Sequence, residues 1–537
     1  MKSQPLPERA NLEQLKKQAK TLLRAARAKE PDALARFQAI PALARLTSAP
    51  SGEPALALHD AQFVIAREYG FKSWRELREL VEERSLSFAA AVDEFVRCAT
   101  GSAPARAFRL LERFPALAHA SLACELVLGD ADAVRVRLQA HPESANQPIG
   151  VQNWEPLLYV CHTSLHRDAP QRAAGLVAIA RELLTRGANP NAEYHWNWHP
   201  ELPRTALWGA LCAVSHFPLA EALLEGGANP TDGVSMHICA GSGNIAALEL
   251  LHRFGVNVDG IPGGLPPLPY ILTWAANIPE RTAGIRWLVE HGANPNLPFN
   301  PAREASLHVA AQRWDVPLVE LLVAHGADIH QRRADGRTPH TLAALNGNGP
   351  VAAWLLAHGA LDECSPLEQF VAACARGDAP RAREMLAARP GLRGELRPEH
   401  HVLTHRAAER GDAEVLEVML DCGFDANARD KDQVTPLHRA AMAGRPGAAR
   451  VLLAHGASVH NLDGMFSASP LVWVSEGWKH DPHDGATDHL GVARALIAAG
   501  CSQEWDPPEK APDPEGTQEQ LRALCRAALG PDDKADS

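Results

Sequence analysis

The side chains best equipped for chemistry in this sequence sit in one stretch near its end: His480, His483, Asp484 and His489. Imidazole and carboxylate together suit a transition metal. Their spacing argues against a built site, because no His pair falls four apart on a helix and Pro482 with Gly485 predicts a loose turn. Histidine also recurs for another reason. His291, His325, His358 and His455 each precede a glycine that ends an apolar stretch, while His308, His405 and His438 open short apolar segments. No metal and no cofactor is therefore expected. The ten cysteines never fall as Cys-x-x-Cys and lie mostly in apolar stretches, where a free thiol behaves as a small buried hydrophobe. Cys161 beside His162 and Cys364 are single thiols with no base set against them. Gly-x-Ser-x-Gly, Gly-x-x-x-x-Gly-Lys-Ser/Thr and Gly-x-Gly-x-x-Gly after a strand are all missing, so acyl transfer and nucleotide chemistry have no footing and no enzyme is expected.

Binding chemistry has more to work with. Tyr194-His195-Trp196-Asn197-Trp198-His199 alternates with period two, so an extended hairpin would set Tyr194, Trp196 and Trp198 on one face and His195, Asn197 and His199 on the other. Exposed Trp and Tyr dominate interface energetics. The plainer reading is that these rings fold back on neighbouring turns. Arg332, Arg333 and Arg337 surround Asp335-Gly336 in one turn, and Arg429, Lys431 and Arg439 flank another. Charged turn residues are most often simply solvated.

The overall charge narrows the partner. Lys plus Arg is 53 against Asp plus Glu at 64, a net of -11. Through Arg84 there are 15 Lys or Arg against 11 Asp or Glu, a net +4 that leaves -15 for the remainder. Ala66, Gly70 and Phe71, followed by a helix opening at Ser73, have the look of a helix-turn-helix. From Arg75 to Arg84 that helix carries three Arg against four Glu, which disfavours nucleic acid as the partner. Residues Met1 to Glu8 contain no apolar core of a signal peptide, and nowhere do eighteen apolar residues run together. No membrane association and a cytoplasmic location are expected.

What would position these groups is a repeat. An apolar stretch ends in Gly at 187, 227, 255, 292, 326, 359, 423, 456 and 500, followed in most cases by a small residue and Asn or Asp. The one long gap, 359 to 423, holds a degenerate unit marked by Gly377-Asp378 and Arg389-Pro390-Gly391, which brings the average period to about 35 residues. About a dozen residues after most of these glycines a helix start appears: Thr435-Pro-Leu-His, Thr338-Pro-His-Thr, Ser306-Leu-His and Ser469-Pro-Leu, with fainter forms at Met236-His237 and Thr404-His405. Thr or Ser caps, Pro suits the first turn, and Leu begins the buried face. His340 and Thr341 exchange the usual Leu and His, which puts the capping bonds of that repeat in question.

These residues resemble the ankyrin-repeat family, strongly from about Leu183 to Ala499 and more weakly back to Phe88. The resemblance implies an all-α solenoid of about twelve helix pairs with short β-turn fingers across residues 87-505, the first three pairs degenerate. Residues 1-86 form a separate helical module, similar to the N-terminal segment of many bacterial ankyrin-repeat proteins. Residues 506-537 form a Pro- and acid-rich tail with one short helix. In that family, finger tips and the exposed side of the inner helix form a concave binding surface. Tyr194, Trp196, Trp198, His199, Arg332, Arg333, Arg337, Arg429, Lys431 and Arg439 thereby become candidate contacts for a protein partner. The expected function is a non-enzymatic scaffold or adaptor. A metal-dependent enzyme or metal-binding protein using the enlarged final repeat, and a regulator whose N-terminal module binds DNA, are the alternatives.

Overall fold

Thr435, Pro436, Leu437 and His438 show how a repeat begins. Pro436 stands where a helix has no N–H bond to lose, and Leu437 is fully buried. His438 turns back so that its Nδ1 accepts from the Thr435 backbone N–H at 3.2 Å. Its Nε2 therefore carries the proton, which it donates to the Ala468 carbonyl at 3.1 Å in the following finger. His308 repeats the arrangement, accepting from the Ala305 N–H at 3.1 Å and donating to the Gln331 carbonyl at 2.9 Å. His405 reaches the Val434 carbonyl at 2.9 Å and His237 the Leu265 carbonyl at 2.8 Å. One ring thus ties a helix start to the next finger. The helix that follows ends where backbone turns left-handed: the nine periodic glycines, Gly187 to Gly500, take φ between 77° and 100°, a region that costs other residues a Cβ clash.

The computed structural model describes residues 4–7, 10–40, 43, 56–101, 103–167, 169–196, 199–262, 264–274, 279–480 and 487–501. The expected tail helix at 518–528 lies outside them. The chain divides into two compact units, Met1–Pro267 with Ile278–Leu288, and Leu268–Asn277 with Val289–Ser537. In the first unit, helix pairs run from Phe88–Thr100 with Pro104–Arg113 to Ser235–Gly241 with Ile245–Arg253. In the second they run from Ser306–Arg313 with Val316–Ala324 to Pro470–His480 with His489–Ala498. Between these in sequence lie Pro267–Trp274 and Pro279–Glu290. The degenerate unit is built as a full pair, Pro366–Ala375 with Ala379–Ala388. The architecture is all-α, with one two-stranded antiparallel hairpin, Glu193–Trp196 with His199–Thr205, among the described residues.

The exchange at 340 and 341 leaves capping intact. Thr338 Oγ1 accepts from the Thr341 N–H at 3.3 Å, and the two hydroxyls lie 3.2 Å apart. Elsewhere in this unit Arg406 bridges far along the chain, donating to the Gln312 carbonyl at 2.6 Å and its side-chain oxygen at 3.1 Å. Burial holds that guanidinium down to about 9.

Residues 11–85 have a core of their own, in which Leu15, Leu22, Phe37, Val64, Leu77 and Val81 are buried together. Asn11 caps Leu12–Arg27 by accepting from the Glu13 N–H at 2.8 Å. Helix Leu58–Glu68 is closed at its start by the Asp60 carboxylate, which reaches back to the Ala57 N–H at 2.8 Å. Ser73 accepts from the Glu76 N–H at 3.2 Å, while Glu76 accepts from Lys72, one residue ahead of the cap. On helix Trp74–Ser85 two of the three arginines pair within the helix: Arg75 with Glu79 at 2.9 Å and Arg78 with Glu82 at 3.8 Å. The buried Glu83 meets Arg106 at 3.3 Å and Arg109 at 2.6 Å from the first helix pair.

Two expectations follow from this packing. A Cβ at Gly284 would overlap the Ala240 carbonyl oxygen, whereas at Gly292 it would meet nothing within 4 Å. Gly284→Ala should therefore cost about 1–3 kcal/mol through forced displacement, and Gly292→Ala only the left-handed strain of about 1 kcal/mol, read from urea midpoints at constant slope. The second concerns acid. Burial holds His237, His308, His405 and His438 below their ordinary value of 6.5, against the opposing pull of their carbonyl bonds. The unfolded chain then takes up protons first, so stability is full above about pH 6.5 and falls below it, each ring contributing at most about 1.4 kcal/mol per pH unit. Unfolding midpoints that stay flat from about pH 7.5 to 5 would contradict this.

Candidate functional site

The aromatic finger forms a hairpin, and Tyr194 packs inward. Tyr194 pairs with Arg204 and Trp196 with His199 across the hairpin, and a register shift between Tyr194 and Trp196 breaks the strict alternation expected from period two. Tyr194 stacks on Trp154 at 4.3 Å and meets His162 edge-on at 5.3 Å. Trp154 also contacts Tyr159 at 5.5 Å, and Arg204 lies 4.0 Å over the Trp208 ring. Tyr194 is half-buried in consequence. At the centre of the cluster His162 donates from Nδ1 to the Leu158 carbonyl at 2.9 Å, and burial holds its pKa down to about 4 against that bond. Trp198 lies outside the described residues, and of Trp196 and His199 only the strand backbone is described.

In the first arginine turn all three cations pair with carboxylates. Arg333, 18% exposed, bridges Glu304 at 2.6 Å and Asp335 at 3.0 Å. Arg337, 22% exposed, joins Asp335 at 3.4 Å to Glu368 at 3.1 Å. Asp335 therefore links ion pairs reaching one repeat back and one repeat forward. Arg332 pairs with Glu363 at 2.7 Å and remains exposed. In the other turn, Arg429 bonds Asn461 at 2.8 Å and Gln433 at 3.2 Å, and Arg439 pairs with Asp430 at 3.1 Å. Lys431 is exposed.

Beside Lys431 stands a surface that sequence reasoning missed. Asp463 is buried, and its carboxylate accepts from the backbone N–H groups of Met465 at 2.8 Å, Phe466 at 2.6 Å and Ala468 at 3.1 Å, and from the Trp473 indole at 2.9 Å. Burial alone would raise its pKa, but these donors outweigh it and hold the group below the usual carboxylate value. The Gly464 N–H donates to the Asp432 carbonyl at 2.8 Å, fastening this finger tip to its neighbour. The loop so fixed presents Leu462, Met465 and Phe466 to solvent, the last two 55% and 69% exposed. The available signal was three apolar residues in a finger tip that is polar in the neighbouring repeats.

Of the inserted His-rich turn, His483 and Asp484 lie outside the described residues, as does the side chain of His480. His489 is buried with Nε2 3.2 Å from the Met442 carbonyl, which makes it a packing residue. Cys364 is half-buried, and burial together with the neighbouring Asp362 pushes its thiol up to about 12. No described helix is long and apolar enough to cross a membrane.

Comparison with known proteins agrees with this geometry. Residues 272–366 and 370–463 match the family model described as ankyrin repeats (3 copies). The chain carries ankyrin repeats. Rabankyrin-5 of Mus musculus is 26% identical over 193 residues, covering 33% of this chain and 16% of that protein. Ankyrin repeat and SOCS box protein 16 of Homo sapiens is 26% identical over 317 residues, covering 58% of this chain and 52% of that protein. The chain thus spans about half, or less, of the length of these ankyrin-repeat relatives. The crystal structure of the human ASB11 ankyrin repeat domain aligns with 44% of this chain and 97% of that one, at 24% identity and a TM-score of 0.32. These relatives are animal proteins, and the bacterial likeness of residues 1-86 rests on the sequence alone.

The Asp463 loop can be tested directly. Asp463→Ala leaves four donors without their acceptor and should cost about 1–3 kcal/mol, with faster amide hydrogen exchange at Met465, Phe466 and Ala468. Unchanged exchange there would show that the carboxylate does not organise the tip.

Proposed function

We propose that the chain is a non-enzymatic scaffold or adaptor that binds a protein partner through its finger tips, with the adjoining 427–434 and 460–468 fingers as the principal contact. One observation carries the reading: a buried carboxylate spends its hydrogen bonds on holding Leu462, Met465 and Phe466 outward, where water gains nothing from them. An ordered apolar projection of this kind is what an interface core uses. Lys431 and Arg429 beside it favour a partner whose contact surface is apolar at the centre and acidic at the edge. Because the loop is already fixed, little ordering entropy is lost on docking.

A cytoplasmic location belongs to the same proposal, supported by ten cysteines without a disulfide pattern. Residues 1-86 serve in it as a docked helical cap. The internal pairing of Arg75 and Arg78, on the helix that would enter a groove, disfavours nucleic acid there.

The test is affinity capture from the native cell with the tagged chain, followed by measured binding of the captured protein. Met465→Ser with Phe466→Ser should weaken binding by roughly thirtyfold or more, the scale of a central hot spot, and leave the unfolding midpoint in place. Trp196→Ala with Trp198→Ala, on the other candidate finger, should have the smaller effect. Equal affinity for the Met465/Phe466 double variant and the parent would overturn the assignment of this surface.

A further inference from the structure

The exchange of residues at the start of helix Pro339–Leu345 has a chemical outcome. In the 435 repeat the position after Pro is Leu437, fully buried. Here it is His340, also buried at 4% exposure, and its Nδ1 has no hydrogen-bond partner among the described residues. The histidines at the next position in other repeats, His308 and His438, satisfy both nitrogens by bracing one repeat to the next. His340 stands one position earlier in its helix, and Thr338 Oγ1 caps that helix by accepting from the Thr341 N–H. A polar ring placed where the repeat wants an apolar side chain, with a nitrogen left over, calls for a ligand.

The neighbouring finger supplies the rest of a donor set. A ring nitrogen of His340, a carboxylate oxygen of Asp362 and the sulfur of Cys364 all lie within 4.8 Å of one another. Asp362 and Cys364 alternate on one short loop, while His340 comes from the preceding repeat. All three line a cavity of about 380 Å³, whose other polar lining includes Gln369, Arg376 and Arg381. We propose that His340, Asp362 and Cys364 bind a divalent transition metal, with zinc the best match, leaving a fourth position open toward this cavity.

The donor chemistry selects the ion. One nitrogen, one oxygen and one sulfur form a borderline-soft set that suits zinc and excludes calcium or magnesium, which require oxygen ligands. Zinc bonds of about 2.0–2.3 Å place tetrahedral ligand atoms roughly 3.3–3.8 Å apart, so the three groups close by at most about 1.5 Å. The exposed Asp362 side chain can supply most of that movement. Binding converts the Cys364 thiol to a metal-bound thiolate, and its proton leaves to solvent. Three protein ligands and an open position facing a cavity with two arginines would seat water or a small carboxylate as the fourth ligand. A second grouping, Glu417, Asp421 and His455, brings three such side chains together. Its two carboxylates are exposed, and His455 already bonds the Val451 carbonyl and approaches Asp421 at 3.5 Å. It serves as the control.

The full chain, stripped with a chelator, is titrated with Co²⁺ and with Zn²⁺. One equivalent of Co²⁺ should produce a thiolate-to-cobalt charge-transfer absorption, and Zn²⁺ should displace it. Cys364→Ser should abolish that absorption. His340→Leu, which restores the residue type of the 435 repeat, should retain the unfolding midpoint while lowering Zn²⁺ affinity at least tenfold, and His455→Ala should change neither. Asp362→Asn, on an exposed side chain, gives the same loss without touching the core. An absorption missing from the parent chain or retained in Cys364→Ser, or undiminished Zn²⁺ affinity in both His340→Leu and Asp362→Asn, overturns the site.

Discussion

The register of the repeats depends on a neutral histidine that bonds in two directions. Its Nδ1 closes the start of its own helix, and its Nε2 donates to a carbonyl of the next finger. Only an uncharged ring can do both, since an imidazolium has no acceptor. Burial favours that state by making the charged form more costly. The bond fixes how far each finger sits from the preceding helix, and the left-handed glycines then return the chain to the same starting point. The 332–337 arginine turn and the 462–466 apolar tip are carried on that spacing.

Once the brace is understood, departures from it become informative. Thr338 supplies the cap, so that repeat keeps its helix start without the histidine tie. Part of the connection is made by charge instead. Arg337, in the same finger, reaches Glu368 in the next repeat, and Arg333 reaches Glu304 in the previous one. The arginines that look from sequence like a free basic tip are therefore structural ties, and the apolar tip at Leu462, Met465 and Phe466 is the freer surface.

How much of this could be read from sequence depends on the range of the interaction. The closing glycines, the Thr-Pro helix starts and the helix pairs are local and were legible throughout, including the degenerate pair after Pro366. The doubt raised by His340 and Thr341 resolved locally too, because the Thr338 hydroxyl caps the helix whichever residues follow. Partner choice was not legible, because Arg333 and Glu304 stand 29 residues apart and Arg337 and Glu368 stand 31 apart. Those separations approximate one repeat, so a period of about 35 marks such residues as neighbours without saying which pair forms. Tyr194 illustrates the same limit. Its alternating pattern correctly implied a hairpin, yet whether its ring faced solvent was decided by Trp154, forty positions earlier. Asp463 left still less trace, since its importance lies in which backbone amides converge on it.

The bond from Arg406 to Gln312 joins groups 94 residues apart, well beyond adjacent repeats. A linear array held only by nearest-neighbour contacts can lose its end repeats one at a time, each at its own small cost. A tie across several repeats encloses those between it in a single loop, so that opening any one of them must either break the tie or strain it. That part of the second unit consequently departs from one-dimensional behaviour and acquires the all-or-none character of a globular core.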